Sequence, residues 1–126
     1  MFVHAHPDDE SSQSPATMAR YVDEGAQVTL VTCTLGELGE ILVPEWEHYS
    51  PSELGAHRID ELTKALGIIG VTDHVWLGGK GKYHDSGMAT DDEGRAIPRD
   101  ELPDGAFWAA DLLEASDHLV TLIRDR

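Results

Sequence analysis

An imidazole and three carboxylates stand together in the segment His6-Pro7-Asp8-Asp9-Glu10, directly after a short apolar run. A histidine nitrogen and a carboxylate oxygen three residues apart on a turn can bind one divalent cation, and this mixed ligand pair suits zinc and other late first-row metals. Asp8 is then free to take a proton from water on the cation, because the cation lowers the pKa of that water towards neutrality. Such a combination of metal, water and base is typical of a hydrolase.

Two other interpretations of this segment compete with a metal site. The three carboxylates could cap the start of a helix while His6 packs in the core. A dinucleotide-binding protein would have the glycine pattern G-x-G-x-x-G here, but the segment contains no glycine, so a pyrophosphate would meet carboxylates. The residues alone therefore favour a metal site, with a helix cap as the alternative.

The elements that would position this segment alternate between strand and helix. Apolar, β-branched runs predict strands over residues 1–5, 27–34 and 74–77. Helical spacing and capping signals predict a helix between Ser14 and Gly25, one between Ser50 and Gly70, and an amphipathic one over 112–123 that runs on to the last residue. Residues 78 to about 105 are rich in glycine and charge and predict a long surface loop.

This alternation predicts an α/β fold with a Rossmann-like parallel sheet and helices on both faces. In such sheets ligands bind beyond the carboxyl ends of the strands, which is where the 6–10 segment lies. No strand follows the last predicted helix in the sequence. Residues 1–126 are therefore interpreted as the N-terminal portion of a single larger domain.

The charge of the chain limits its partners. It carries 24 acidic against 9 basic side chains, a formal net charge of -15, which repels phosphate backbones and anionic lipids. Nucleic acid and membrane partners are not expected, and no apolar run approaches the roughly 20 residues that cross a bilayer. The single cysteine, Cys33, lies in an apolar strand and cannot form an intrachain disulfide, so a cytoplasmic location is expected. The oligomeric state is left open.

Four segments, taken together, resemble the zinc-dependent deacetylases of the PIG-L/LmbE family. They are residues 6–10 (HPDDE), 32–37 (TCTLGE), 57–62 (HRIDEL) and 85–88 (DSGM). The resemblance spans nearly the whole chain and implies an LmbE-like fold. Within the family it is strongest to members that deacetylate N-acetylglucosaminyl-inositol in mycothiol biosynthesis. Amidases of mycothiol S-conjugates are the alternative, and an inactive α/β binding module is a further one.

Carried over residue by residue, the resemblance makes His6 and Asp9 ligands of one zinc ion and Asp8 the general base. It makes Arg58 and Asp85 contacts for the hydroxyls of an amino-sugar inositol substrate. Iron accepts similar ligands, so Fe²⁺ is the alternative metal. The family's third zinc ligand belongs to a His-Pro-Asp-His motif that these 126 residues do not contain. Gln13 stands where some relatives have a serine.

Three smaller features complete the sequence. The acidic run 91–94 is interpreted as a solvated turn, because it lacks the ligand spacing of a calcium loop. The run 78–82 (GGKGK) lacks the spacing of a phosphate-binding loop and is interpreted as a flexible substrate loop. His84, beside Asp85, is a further candidate substrate contact.

Overall fold

The predicted parallel sheet is present in the computed structural model, which describes residues 1–126. Its strands are β1 (Phe2–His4), β2 (Thr29–Thr32) and β3 (Asp73–Trp76), with β2 in the centre. Val31 pairs with Val3 on one side and with Val75 on the other, both in parallel register. The carboxyl ends of all three strands therefore point to the same edge of the sheet.

Helices cover both faces of this sheet, as the alternation predicts. They are α1 (Asp9–Gln13), α2 (Pro15–Asp23), α3 (Pro51–Ile69) and α4 (Leu112–Asp125), with 3₁₀ turns at Pro44–Trp46 and Phe107–Ala109. One core joins α2 and α3 to the sheet through the buried residues Met18, Val28, Leu30, Leu62, Leu66 and Val71. The other places α4 beside the buried residues Val31, Cys33, Leu77 and Tyr83. None of these helices is both long and apolar enough to cross a membrane.

The ends of α3 confirm the capping signals read from the sequence. The Ser50 hydroxyl accepts a hydrogen bond from the Glu53 amide, and the Glu53 carboxylate accepts one from the Ser50 amide, a complete capping box. At the other end Gly70 has a φ of 87°, a left-handed conformation that glycine adopts without a steric penalty. These caps fix where α3 begins and ends, and hence where its inner face meets the loop after β2.

Ser14 does not cap α2 in the predicted way. Its side chain makes no capping hydrogen bond, and its Oγ lies 2.9 Å from Nε2 of His4. The reason is the short helix α1, which the sequence pattern did not predict and which ends directly at Ser14. The serine hydroxyl therefore links this helix junction to β1.

Two further expectations needed correction. Within the predicted surface loop, β4 (Ala89–Thr90) and β5 (Ala96–Ile97) form an antiparallel hairpin, and Asp91 bonds to the backbone and side chain of Arg95 in its turn. Two-residue strands are too short to show a period.

On α4, Leu119 and Leu122 pack against the core, but Leu112 and Ile123, predicted on the same side, are largely exposed.

The environment of Cys33 predicts an unreactive thiol. The residue is buried beside Val31 and Leu77, and this burial raises the pKa of its thiol to about 11. Since the thiolate is the nucleophile, we expect a disulfide reagent such as DTNB at pH 8 to react with the folded protein at least about 100-fold more slowly than with the unfolded one. Rapid stoichiometric labelling of the folded protein would contradict this burial.

Candidate active site

The predicted site residues gather at the carboxyl edge of the sheet. A cavity of about 710 Å³ opens there, and its walls include His6, Asp8, Arg58 and Asp85. The turn after β1 provides His6 and Asp8, α3 provides Arg58, and the segment after β3 provides Asp85. The fifth predicted residue, Asp9, lies behind His6 in the first turn of α1.

His6 and Asp9 form a pair that could hold a metal ion. Nδ1 of His6 lies 3.8 Å from Oδ2 of Asp9. Two tetrahedral zinc ligands at ordinary bond lengths are about 3.4 Å apart, so a small closure of this pair suits one ion. No group of three or more histidine, cysteine, aspartate or glutamate side chains in the structure is placed to hold a metal. The pair His6 Nδ1 and Asp9 Oδ2 is one nitrogen and one oxygen atom that could act as metal ligands.

The second ring nitrogen of His6 faces a different carboxylate. Its Nε2 lies 3.4 Å from Oδ1 of Asp85. A metal-bound histidine commonly donates its other N–H to a carboxylate, which fixes the tautomer and the ring orientation. The contact with Asp85 raises the pKa of His6 above its ordinary value, although burial opposes the shift. Asp85 is thus placed to orient the proposed ligand.

Asp85 itself is held by backbone amides. Burial raises the pKa of its carboxyl, but the contact with His6 and hydrogen bonds from the amides of Gly87 and Leu38 outweigh burial and lower it overall. The Gly87 amide donates to Oδ1 at 3.0 Å and the Leu38 amide to Oδ2 at 3.3 Å. The carboxylate is therefore fixed at the cavity wall in its charged form.

Asp9 is anchored on both carboxylate oxygens. Its Oδ2 accepts a hydrogen bond from the His6 amide at 3.0 Å, and its Oδ1 accepts one from Nε2 of Gln13 at 2.8 Å. Gln13, the position where the sequence departs from some relatives, thus supports the carboxylate from one helical turn away. These two bonds direct Oδ2 towards the His6 ring.

The backbone at Asp8 is strained. Asp8 has a φ of 107° and is the only non-glycine residue with a positive φ. Its amide donates to Oε2 of Glu10 at 2.9 Å, and Glu10 is only 1% exposed. A strained backbone conformation persists where many surrounding contacts hold it in place, often at a functional site. Glu10, for which the sequence predicts no separate role, helps to hold this conformation by accepting the hydrogen bond from the Asp8 amide.

The Asp8 side chain points outwards and does not cap α1. It is 67% exposed and makes no capping hydrogen bond, so the alternative in which this carboxylate caps the helix is wrong for Asp8. Only the Asp8 carbonyl bonds to the first turn, accepting from the amides of Ser11 and Ser12. The Asp8 carboxylate does have a protein partner, because its Oδ2 is in contact with Nη2 of Arg58. Because the Asp8 carboxylate is exposed, solvent screens this contact, and the carboxylate can exchange it for contacts with a ligand.

Arg58 also joins the turn after β1 to the loop after β2. Its Nη1 donates to the Gly36 carbonyl and its Nη2 to the Pro7 carbonyl, each at 2.7 Å. A Cβ at Gly39 would come within 2.7 Å of the Arg58 guanidinium, so the glycine-containing loop makes room for this side chain. In this structure Arg58 therefore orders the cavity wall, in addition to the ligand contact predicted for it.

The candidate contact His84 is not part of the cavity lining. Its Nδ1 lies 2.6 Å from Oε1 of Glu37, a residue for which the sequence predicts no separate role. No local pattern could have indicated this pair, because its members are 47 residues apart in the chain. His84 and Glu37 lie next to the site and outside its lining.

The chain is similar to several known deacetylases. The 1D-myo-inositol 2-acetamido-2-deoxy-alpha-D-glucopyranoside deacetylases of Nocardioides sp. and Kribbella flavida are 56% and 57% identical to the chain over 99% of its residues. The chain spans 42% of the length of each. The N,N'-diacetylchitobiose deacetylase of Pyrococcus horikoshii, solved with its inhibitor MPG, superposes with a TM-score of 0.57 at 30% identity over 67% of this chain and 28% of that one.

The match to a family model covers the entire chain. The model is that of PIG-L, described as GlcNAc-PI de-N-acetylase, and it aligns with residues 1–126. The four segments that suggested the resemblance lie within this match, and the Rossmann-like sheet that positions them is confirmed. The chain belongs to the PIG-L family.

Proposed function

We propose that the protein is a cytoplasmic deacetylase that hydrolyses the N-acetyl group of an N-acetylglucosaminyl-inositol substrate. One observation carries the proposal: Asp8 and His6 line one cavity, and His6 lies 3.8 Å from Asp9, in a chain more than half identical to deacetylases that act on such a substrate by name. A cavity of about 710 Å³ has the volume that small-molecule sites commonly have. The single buried, unpaired cysteine is compatible with a reducing compartment.

We propose that His6 Nδ1 and Asp9 Oδ2 hold one zinc ion, with Fe²⁺ as the alternative. When bound, the ion supplies a positive charge that polarises the amide carbonyl and acidifies water at the site. Zinc commonly takes four ligands, so two positions remain for water, substrate or another protein donor.

Asp8 is proposed as the general base. Its exposed carboxylate can take a proton from the water that attacks the amide carbon, while the backbone contact to Glu10 keeps it at the mouth of the cavity. The bond between the acetyl carbon and the sugar nitrogen then breaks, and the nitrogen takes up the proton that Asp8 removed from water, so that the free amine leaves. The net products are acetate and a glucosaminyl-inositol.

Arg58 and Asp85 are proposed to contact sugar or inositol hydroxyls. Both line the cavity, one with N–H donors and the other with carboxylate acceptors. Their existing hydrogen bonds to the backbone hold each group in place before a ligand arrives, which reduces the entropy lost on binding.

A substrate comparison tests the proposed function. The protein as its gene encodes it would be loaded with zinc or Fe²⁺ and incubated with N-acetylglucosaminyl-inositol and, separately, with a mycothiol S-conjugate. Released primary amine would be measured with fluorescamine and acetate by an enzymatic assay. We expect amine and acetate in equal amounts from the first substrate and at least about tenfold lower kcat/KM on the second. Preference for the S-conjugate would identify an amidase instead, and binding without hydrolysis of either would identify a binding module.

A further inference from the structure

A buried carboxylate lies outside the proposed metal and base residues. Glu37, in the loop after β2, is 9% exposed, and its Oε1 lies 2.6 Å from Nδ1 of His84. Its Oε2 is buried and has no hydrogen-bond partner. Burying a carboxylate is unfavourable unless it is paired, so the contact with His84 is the main compensation that the structure provides.

The backbone of His84 is also held, by two hydrogen bonds. The His84 amide donates to the Gly105 carbonyl, and the His84 carbonyl accepts from the Phe107 amide, both at 2.9 Å. Gly105 has a φ of 75°, and a Cβ there would come within 2.9 Å of Cδ2 of His84. The imidazole is thus confined between the backbone at residue 105 and the Glu37 carboxylate.

Leu38 and Asp85, the residues that follow Glu37 and His84 in the chain, also contact each other. The Leu38 amide donates to Oδ2 of Asp85, so residues 37–38 face residues 84–85 in two successive pairs. Asp85 Oδ1 then lies against Nε2 of His6. A displacement of His84 would move the backbone of Asp85 and change both contacts of its carboxylate.

We propose that Glu37 and His84 are positioning residues, which fix the Asp85 carboxylate at the cavity wall by joining the loop after β2 to the segment after β3. The expected effect on substrate rests on the proposed function of Asp85 as a substrate contact. The effect on the Asp85 carboxylate itself does not depend on any activity.

The first test follows the amides that bind Asp85. In ¹⁵N-labelled protein, His84→Ala is expected to shift the amide resonances of Leu38 and Gly87 in the same direction as Asp85→Asn does. It is also expected to lower the melting temperature, because it leaves the buried Glu37 carboxylate without its partner. His48→Ala, which removes an exposed histidine from another part of the surface, is the matched control. Unchanged Leu38 and Gly87 resonances in His84→Ala would overturn the proposal, whatever the protein catalyses.

The second test separates positioning from general destabilisation by kinetics. His84→Ala is expected to raise KM for N-acetylglucosaminyl-inositol about tenfold, with a much smaller change in kcat, since a lost substrate contact acts on binding. The Glu37→Ala/His84→Ala double variant should be no worse than His84→Ala alone, because both substitutions break one interaction. His84→Arg should restore KM, because a guanidinium can pair with both Glu37 oxygens. Additive effects, or no restoration by arginine, would overturn the proposal; absence of activity in the unsubstituted protein would instead contradict the proposed function.

Discussion

Replacement of Asp8 by asparagine is expected to lower kcat for N-acetyl hydrolysis about 10²–10⁴-fold, the range that a positioned general base contributes. The substitution is suited to this position for a steric reason. Asp8 has a φ of 107°, and asparagine is among the few residues that accept positive φ at modest cost. The asparagine amide oxygen can still accept from Arg58, but it cannot take a proton from water at neutral pH. The fold and the Arg58 contact should therefore persist while the base is lost.

The measurement is steady-state kinetics on the protein as its gene encodes it, with circular dichroism and metal content recorded for each variant. Asp60→Asn is the matched control, since Asp60 is an exposed aspartate on α3 whose side chain makes no hydrogen bond or ion pair in the structure. We expect the control to keep its kcat within about twofold, in line with the small effects of surface substitutions. An Asp8→Asn variant that also kept its kcat, with zinc bound, would assign the base to another residue.

The parts of the fold that the sequence predicted are those determined over short stretches of chain. Ser50 and Gly70 define α3 because a capping box and a left-handed cap each involve only neighbouring residues. The inner positions Leu62 and Leu66 follow from the helical period and are buried as expected. The proximity of His6 and Asp9 is equally local, because both residues belong to one turn.

The parts that were missed depend on contacts between distant segments. The Arg58–Asp8 contact joins residues 50 apart, and the His84–Glu37 contact joins residues 47 apart. Neither pair follows from a period or a cap. The first depends on how α3 meets the turn after β1, and the second on how the segments after β2 and β3 meet. For Arg58, the family resemblance indicated its place at the site but not its hydrogen bonds to the backbone around it. Ser14 was misassigned for a similar reason, since its hydroxyl faces His4 on the neighbouring strand.

Replacement of His6 by alanine is expected to weaken zinc binding by more than about 100-fold, because even residues that only orient a metal ligand contribute about 10–100-fold. The His6 ring provides the only nitrogen ligand proposed beside Asp9, and the amide of the same residue holds the Asp9 carboxylate in place. An alanine keeps that amide, so the variant removes the imidazole without releasing Asp9. The loss of affinity should therefore report the ligand itself.

Zinc affinity would be measured by competition with a chromophoric chelator, and His48→Ala would serve as the control that removes an exposed histidine elsewhere. Asp85→Asn should give an intermediate result, about 10–100-fold weaker than the unsubstituted protein, because Asp85 contacts Nε2 of His6 and not the metal position. The order of the three variants distinguishes the roles: a ligand, a residue that orients a ligand, and a bystander. If His6→Ala and His48→Ala bound zinc equally well, the metal would have to lie away from the His6–Asp9 pair, and the proposed role of Asp8 would lose its basis.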